Sequence, residues 1–375
     1  MAHAYTPGLK VIKKTVVHKT RRLPLKGEVT VKKGTEVKAE EVVATTDLPG
    51  NVVPVNLANM LNIDASEIPE LLIKKPGDSL EKDELIAETS GLFGFFKTKA
   101  IAPATGTLES VSKITGQAII REAPIPVSVL AYIDGKVTDI IEDEGVEISA
   151  AASFIQGIFG IGGERRGEIK ILTTDTNTPI TEDMITDDCK GKVLIGGSFL
   201  SLKAFKKAER LGAIGVVVGG FNYSDIKKIV GYDIGVAITG QEDINTTLII
   251  TEGFGEVHMA EQTFKLLASH EGKMASINGA TQIRAGVIRP EIIIPLGGST
   301  KIKDEAAELF GMEKGTEVRV IRAPYFGMLG EVTELPHELQ RLESGSLARV
   351  AKVKLYESKK EVLLPRANLE MIEKK

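Results

Sequence analysis

Two stretches decide how the first third of the chain folds: GEVTVKKGTEVKAEEVVA (residues 27–44) and LIKKPGDSLEKDELIA (residues 72–87). Each places a lysine pair ahead of a turn glycine, Gly34 or Gly77, and an apolar residue three positions on, Val37 or Leu80. A charged turn follows, then an apolar run ending on Ala44 or Ala87. Self-similarity of this kind marks a repeated supersecondary unit. Short apolar runs broken by Gly-Thr and Gly-Asp turns predict short strands joined tightly. A third piece, APATGTL (residues 102–108), follows Phe93, Phe95 and Phe96, and small apolar strands continue to about Val137.

At 375 residues the chain is longer than one core usually fills, so two to four domains of roughly 150 residues are expected. Apolar residues at 42% and charged residues at 26% give globular composition rather than disorder. A single cysteine, Cys189, excludes an intramolecular disulfide, a cysteine-based zinc site and an iron–sulfur cluster. The five histidines have no metal-binding spacing. No apolar run approaches the ~18 residues of a membrane span, and no signal-peptide core follows Met1. A cytoplasmic protein with no cofactor, no metal and no membrane partner is expected.

Net charge, 47 − 51 = −4, points to no nucleic acid by itself. Its distribution says more. Lys10, Lys13, Lys14, Lys19, Arg21, Arg22 and Lys26 form a run with no acidic residue, whereas Asp139, Glu142, Asp143, Glu144 and Glu147 form an acidic one. Both runs suit solvated strand faces, and the basic one also suits a docking surface for RNA or an acidic partner.

The repeat and the Ala-Pro-x-x-Gly entry resemble the barrel-sandwich hybrid of biotinyl and lipoyl domains. In those carriers the modified lysine stands at a hairpin tip, seven residues before the Ala-Pro alanine. Here that position is Phe95, and Lys97 and Lys99 are off register. The resemblance therefore implies an unmodified hybrid barrel over residues 1–138, of the kind that serves as an insert or docking module.

Residues 139–167 form an expected junction, ending in the apolar, glycine-rich SFIQGIFGIGGERRG (residues 153–167). Its glycines, Gly157, Gly160, Gly162 and Gly163, miss the dinucleotide frame because Arg165 stands where the last glycine belongs. A mobile or partner-packed hairpin is expected instead. Residues 168–300 alternate strand and helix. KVLI (192–195) and GVVVGG (215–220) read as buried strands, Leu200–Leu211 and Ser224–Val230 as helices, then TLIIT (247–251) as a strand and Val257–Ser269 as a helix. That rhythm predicts a parallel or mixed sheet with helices on its faces.

The last sixty or so residues, assigned with a short helix to 301–375, carry TEVRVIRAPYFGMLGEVTEL (residues 316–335). This stretch resembles the KOW motif of NusG-type elongation factors and certain ribosomal proteins, which implies a small five-stranded β-barrel that meets RNA or protein. Gly330 suits close strand approach or positive φ. A partly helical excursion is expected over 336–344. The fold class is thus multidomain α/β plus β: a barrel-sandwich hybrid, a central α/β sheet and a KOW-type barrel.

Catalytic patterns fall short. Ser198 follows Gly196 and Gly197, yet Leu200 breaks the nucleophile-elbow frame. Asp225, Asp233 and Glu252 have no histidine at visible spacing, and His258 suits a cap at the start of a helix better than general-base work. Two functional classes stay open. In one, Arg319, Arg322, Tyr325, Phe326, Arg349, Lys352 and Lys354, with Lys10, Lys13, Lys14, Arg21 and Arg22, let a non-catalytic adaptor meet RNA, a ribonucleoprotein or a protein. In the other, Gly196, Gly197, Ser198, Gly219, Gly220, Gly253 and Gly255 at strand–helix turns cradle a small anionic ligand. Intact-mass measurement is expected to show neither biotin nor lipoyl on the chain; either adduct would refute the unmodified assignment.

Overall fold

The computed structural model of the protein describes residues 9–90, 97–232, 240, 242–282, 288–297, 312–322, 324–336, 338–341 and 347–371. Phe93, Phe95, Phe96, Asp233 and residues 301–311 at the start of the C-terminal module lie outside them. The chain is mostly β. Its α-helices are α1 (Leu57–Leu61), α2 (Ile68–Leu71), α3 (Leu202–Arg210), α4 (Tyr223–Val230) and α5 (Glu261–Ala268). None is long and apolar enough to cross a membrane.

The sequence repeat is a repeat in space. Gly34 and Gly77 both take positive φ, 91° and 100°, where a side chain would be strained. Four residues after each glycine an amide donates to the carboxylate three positions on: Lys38 N to Glu41 (3.2 Å) and Glu81 N to Glu84 (2.8 Å). The carbonyls of those two glutamates accept from Ala131 N and Ala102 N, at 2.9 and 2.8 Å. Val37 and Leu80, Val43 and Ile86, Ala44 and Ala87 are buried pairwise. Each unit thus shuts its own turn and turns the same positions inward.

Among the described residues, twelve strands form one mixed sheet. Its organiser is Gly145–Gln156, in the segment read as a junction. One edge pairs antiparallel with Val11–Arg22 over nearly its whole length. Along the other edge, its first half pairs with Gly135–Ile141 and its second with Glu291–Pro295. The expected mobile hairpin is therefore corrected. The segment continues as Phe159–Ile161, which is buried and paired with Thr247–Phe254, because its glycines let backbones close on it. A Cβ on Gly160 would lie 2.7 Å from Gly279 O, and one on Gly145 (φ 152°) 1.9 Å from Arg21 O.

Beyond Glu291–Pro295 and Met274–Asn278, the sheet continues through Glu164–Ile171, Lys192–Ile195, Gly215–Phe221 and Thr247–Phe254, the last four mutually parallel. Ala204, Phe205 and Ala208 of α3 and Ile226 of α4 cover one face, while Phe264, Leu266 and Leu267 of α5 cover the other. The third helix starts at Glu261, not Val257, so exposed His258 precedes it. Toward the C-terminus, Glu317–Val320, Leu329–Glu334, Val350–Leu355, Glu361–Pro365 and Leu369–Met371 form a five-stranded antiparallel sheet around Val318, Val332, Val353 and Leu369. The described part of the expected helical excursion is instead a ribbon, Gln340–Arg341 against Leu347–Ala348.

The pairing of Val11–Arg22 with Gly145–Gln156 slips between Ile12 and Thr15. There, buried Ser153 Oγ donates to the Lys13 carbonyl (2.7 Å), which leaves its lone pair to accept from His270 Nε2–H at 2.8 Å. His270 Nδ1 is buried without a partner. Burial first, then the charges of Lys273 and Lys13, hold His270 below the ordinary histidine range. The folded chain resists a proton that the unfolded chain accepts, so this contribution is full above about pH 6.5 and falls as pH drops below it. His270→Gln keeps the donor and removes the titration. The variant is expected to lose less urea stability than the parent between neutral pH and pH 5; identical losses would refute it.

Candidate nucleic-acid interface

The C-terminal sheet meets the mixed sheet through four buried charges. Arg319 Nη2 donates to Glu252 at 2.7 Å and its Nη1 to Glu370 at 3.1 Å. Arg289 reaches the other oxygen of Glu370 at 3.4 Å and the Ile158 carbonyl at 3.2 Å. The remaining oxygen of Glu252 accepts Ala260 N–H at 3.0 Å, just ahead of α5. Two arginines and two glutamates balance, as burial requires. Desolvation holds Arg289 below the usual guanidinium range despite Glu370.

Beside them Phe326 packs its ring 5.9 Å from Phe254 and 6.4 Å from Phe159. Gly327 (φ 81°) brings its carbonyl onto Gly253, where a Cβ would lie 2.6 Å away. Arg319 is 3% exposed. Hence Arg319 and Phe326, expected to face RNA or a partner, instead seat the motif strand and turn on the rest of the chain. Tyr325 is half-buried against the C-terminal core, and Arg322 is half-buried. Gly330 is a close-approach glycine, 2.7 Å from Lys354 O to a Cβ placed there.

Four of the seven residues of the basic N-terminal run are ion-paired, two of them with the acidic run. Arg21 forks onto Glu164 at 2.6 and 2.7 Å, and Lys19 reaches Glu291 at 2.5 Å. Arg22 lies 3.6 Å from Glu144 and Lys26 3.5 Å from Asp143. Arg21 and Lys19 also lie over the Tyr132 ring, 5.3 and 5.9 Å from its centroid. Lys10, Lys13 and Lys14 remain exposed. On the C-terminal sheet Lys352 pairs with Glu334 at 2.5 Å, while Lys354 and Arg349 are exposed.

The glycine-rich turns hold backbone rather than an open cradle. Gly196, Ser198, Gly219, Gly220 and Gly255 donate their amides to the carbonyls of Val217, Thr178, Gly197, Ser198 and Phe221. A Cβ on Gly197 would lie 2.3 Å from Asp175 O, one on Gly219 2.2 Å from Val257 O, and one on Gly220 2.1 Å from Gly255 O. Ser198 Oγ donates to Asn177 O at 2.7 Å. Five of the seven amides on which the anion-site expectation relies are thus already bonded within the protein.

Sequence reasoning missed Arg289 and Glu370, because their partners stand 51 to 131 positions away and no local pattern announces them. It also missed Arg341 and Arg366, which the strand register brings beside Arg349. No family model matches the chain, and no curated protein matches its sequence. Replacing Arg319 by Leu leaves buried Glu252 without a cation and Glu370 with Arg289 alone, and should cost about 3–5 kcal/mol in urea unfolding. Arg349→Gln, on the exposed rim, should stay within about 0.5 kcal/mol of the parent. Equal effects of the two substitutions would refute the seating role of Arg319.

Proposed function

We propose that the protein is a non-catalytic adaptor that binds RNA, alone or within a ribonucleoprotein, through a KOW-type C-terminal barrel aided by the N-terminal lysines. The single observation that carries this reading is the positive charge left over after folding. Internal carboxylates neutralise Lys19, Arg21, Arg22, Lys26, Arg319 and Lys352. Lys10, Lys13, Lys14 and Arg349 are exposed and form no ion pair among the described residues, whereas exposed Lys354 stands across the sheet from Glu331 and Glu361. Unpaired surface cations of this kind grip phosphates and release counterions, which gives affinity without base readout.

The barrel is fixed to the body by Arg319 and Phe326, so the stacking role first expected of Phe326 moves away from the RNA. Tyr325, half-buried, retains one face for a base. In filter binding at about 50 mM salt the intact chain should retain RNA, and a Lys13→Ala, Lys14→Ala variant should show a salt slope shallower by roughly two units. Failure to retain RNA at that salt would overturn the proposal, and a barrel that docks protein would replace it.

A further inference from the structure

Three arginines far apart in sequence meet on the C-terminal sheet. The Glu361–Pro365 strand runs antiparallel to Val350–Leu355 with Val350 opposite Pro365. One step further, Arg366 N–H donates to the Arg349 carbonyl at 2.9 Å, so Arg366 lies opposite Arg349. On the other side, the ribbon sets Arg341 opposite Leu347 and Gln340 opposite Ala348. Residues directly opposite share a face, and so do residues two apart on one strand. Arg349 stands between the ribbon strand Leu347–Ala348 and the strand Val350–Leu355, two residues from Leu347, which places it near Arg341 as well as opposite Arg366.

Like charges directly opposite each other on a sheet are unfavourable, and among the described residues no carboxylate pairs with these. Arg366 is held by carbonyls alone: its Nε donates to Val350 O at 3.0 Å and its Nη2 to Pro336 O at 2.9 Å. Burial and then the charge of Arg349 hold its guanidinium below the usual range. Arg341 and Arg349 are exposed, and none of the three has an ion pair among the described residues. The contrast with the rest of the sheet is sharp: Lys352 has Glu334, and Lys354 stands opposite both Glu331 and Glu361. Leu347, on the same face as Arg341, is 65% exposed beside them.

We infer that Arg341, Arg349 and Arg366 form a binding site for consecutive phosphates of an RNA strand. This inference rests on the RNA reading above and narrows it to one face. Guanidinium forks match phosphate oxygens two at a time, a role for exposed Arg341 and Arg349, while Arg366, its Nε and Nη2 held by carbonyls, adds its charge beside them; a strand with one fixed negative charge per nucleotide offsets their mutual repulsion. Leu347 supplies an apolar surface for the ribose and base between successive phosphates.

The test compares the full-length chain with its Arg341→Gln, Arg349→Gln variant, using a uridine homopolymer and a polyglutamate peptide as probes over a salt series. Both substituted residues are exposed, and circular dichroism with a melting curve checks that the variant folds. The parent should bind the RNA, and the variant should bind it more weakly, with a salt slope shallower by about two units. If the parent binds RNA and the variant matches it in affinity and slope, the arginine site is overturned while the RNA reading stands. If the parent binds no RNA, the RNA reading fails and the site with it. If polyglutamate binds in an arginine-dependent way and RNA does not, the site belongs to an acidic protein and the inference is likewise overturned.

Discussion

Everything in this fold hangs on one strand with both edges occupied. Gly145–Gln156 gives one edge to Val11–Arg22 and divides the other between Gly135–Ile141 and Glu291–Pro295. The N-terminal repeat is tied in through the first half, and the parallel sheet through the second. A one-residue slip would exchange the two buried faces of this strand, setting Ser149 and Ser153 where Ile148 and Ala152 pack. Val146, Ile148, Ala150, Ala152 and Ile155 are all buried, so the register is fixed by the core as well as by hydrogen bonds. Gly145 is the one place where the first strand's carbonyl comes too near for any side chain.

Charge follows from that geometry. Pairing Val11–Arg22 against Gly145–Gln156 brings Arg22 to Glu144, while Lys19 and Arg21 reach Glu291 and Glu164 on neighbouring strands, so ion pairs that sequence distance conceals become neighbours. At the other end, the Arg289, Arg319, Glu252 and Glu370 cluster is worth little as a net source of stability, since desolvation offsets its attraction. Its stronger effect is on geometry: removing any one member leaves a buried charge unmatched, so the C-terminal sheet has one seat. Among the described residues, Lys10, Lys13, Lys14, Arg341 and Arg349 are exposed cations that this pairing leaves without an ion pair.

Local signals in the sequence were read well where they act locally. The paired glycines Gly34 and Gly77, the apolar positions after them and the helices α3 and α4 all follow from turn chemistry and periodicity, which depend on neighbours a few residues away. The mixed sheet was likewise visible in the strand–helix rhythm. The segment 139–167 was misjudged because glycine has two uses. Gly157 and Gly160 signal a flexible hairpin by composition, but they serve close packing against Ile249, Pro290 and Gly279, which only the tertiary structure supplies. The same ambiguity led from Gly197, Gly219 and Gly220 to a ligand cradle. Of the candidate interface, Arg349 and Lys354 were legible as basic positions on a strand. Arg319 and Phe326 carried the same signal yet turned inward, because Glu252, Glu370, Phe159 and Phe254 lie in other elements. Residue type alone does not tell a phosphate contact from a buried anchor.

Native-state hydrogen exchange across Gly145–Gln156 tests the central claim most directly. If this strand ties the N-terminal repeat to the mixed sheet, its amides should exchange only through global unfolding, with the same free energy as those of Gly215–Phe221 in the middle of the parallel strands. Exchange of Gly145–Gln156 at the rate of an open linker, while Gly215–Phe221 stays protected, would contradict it.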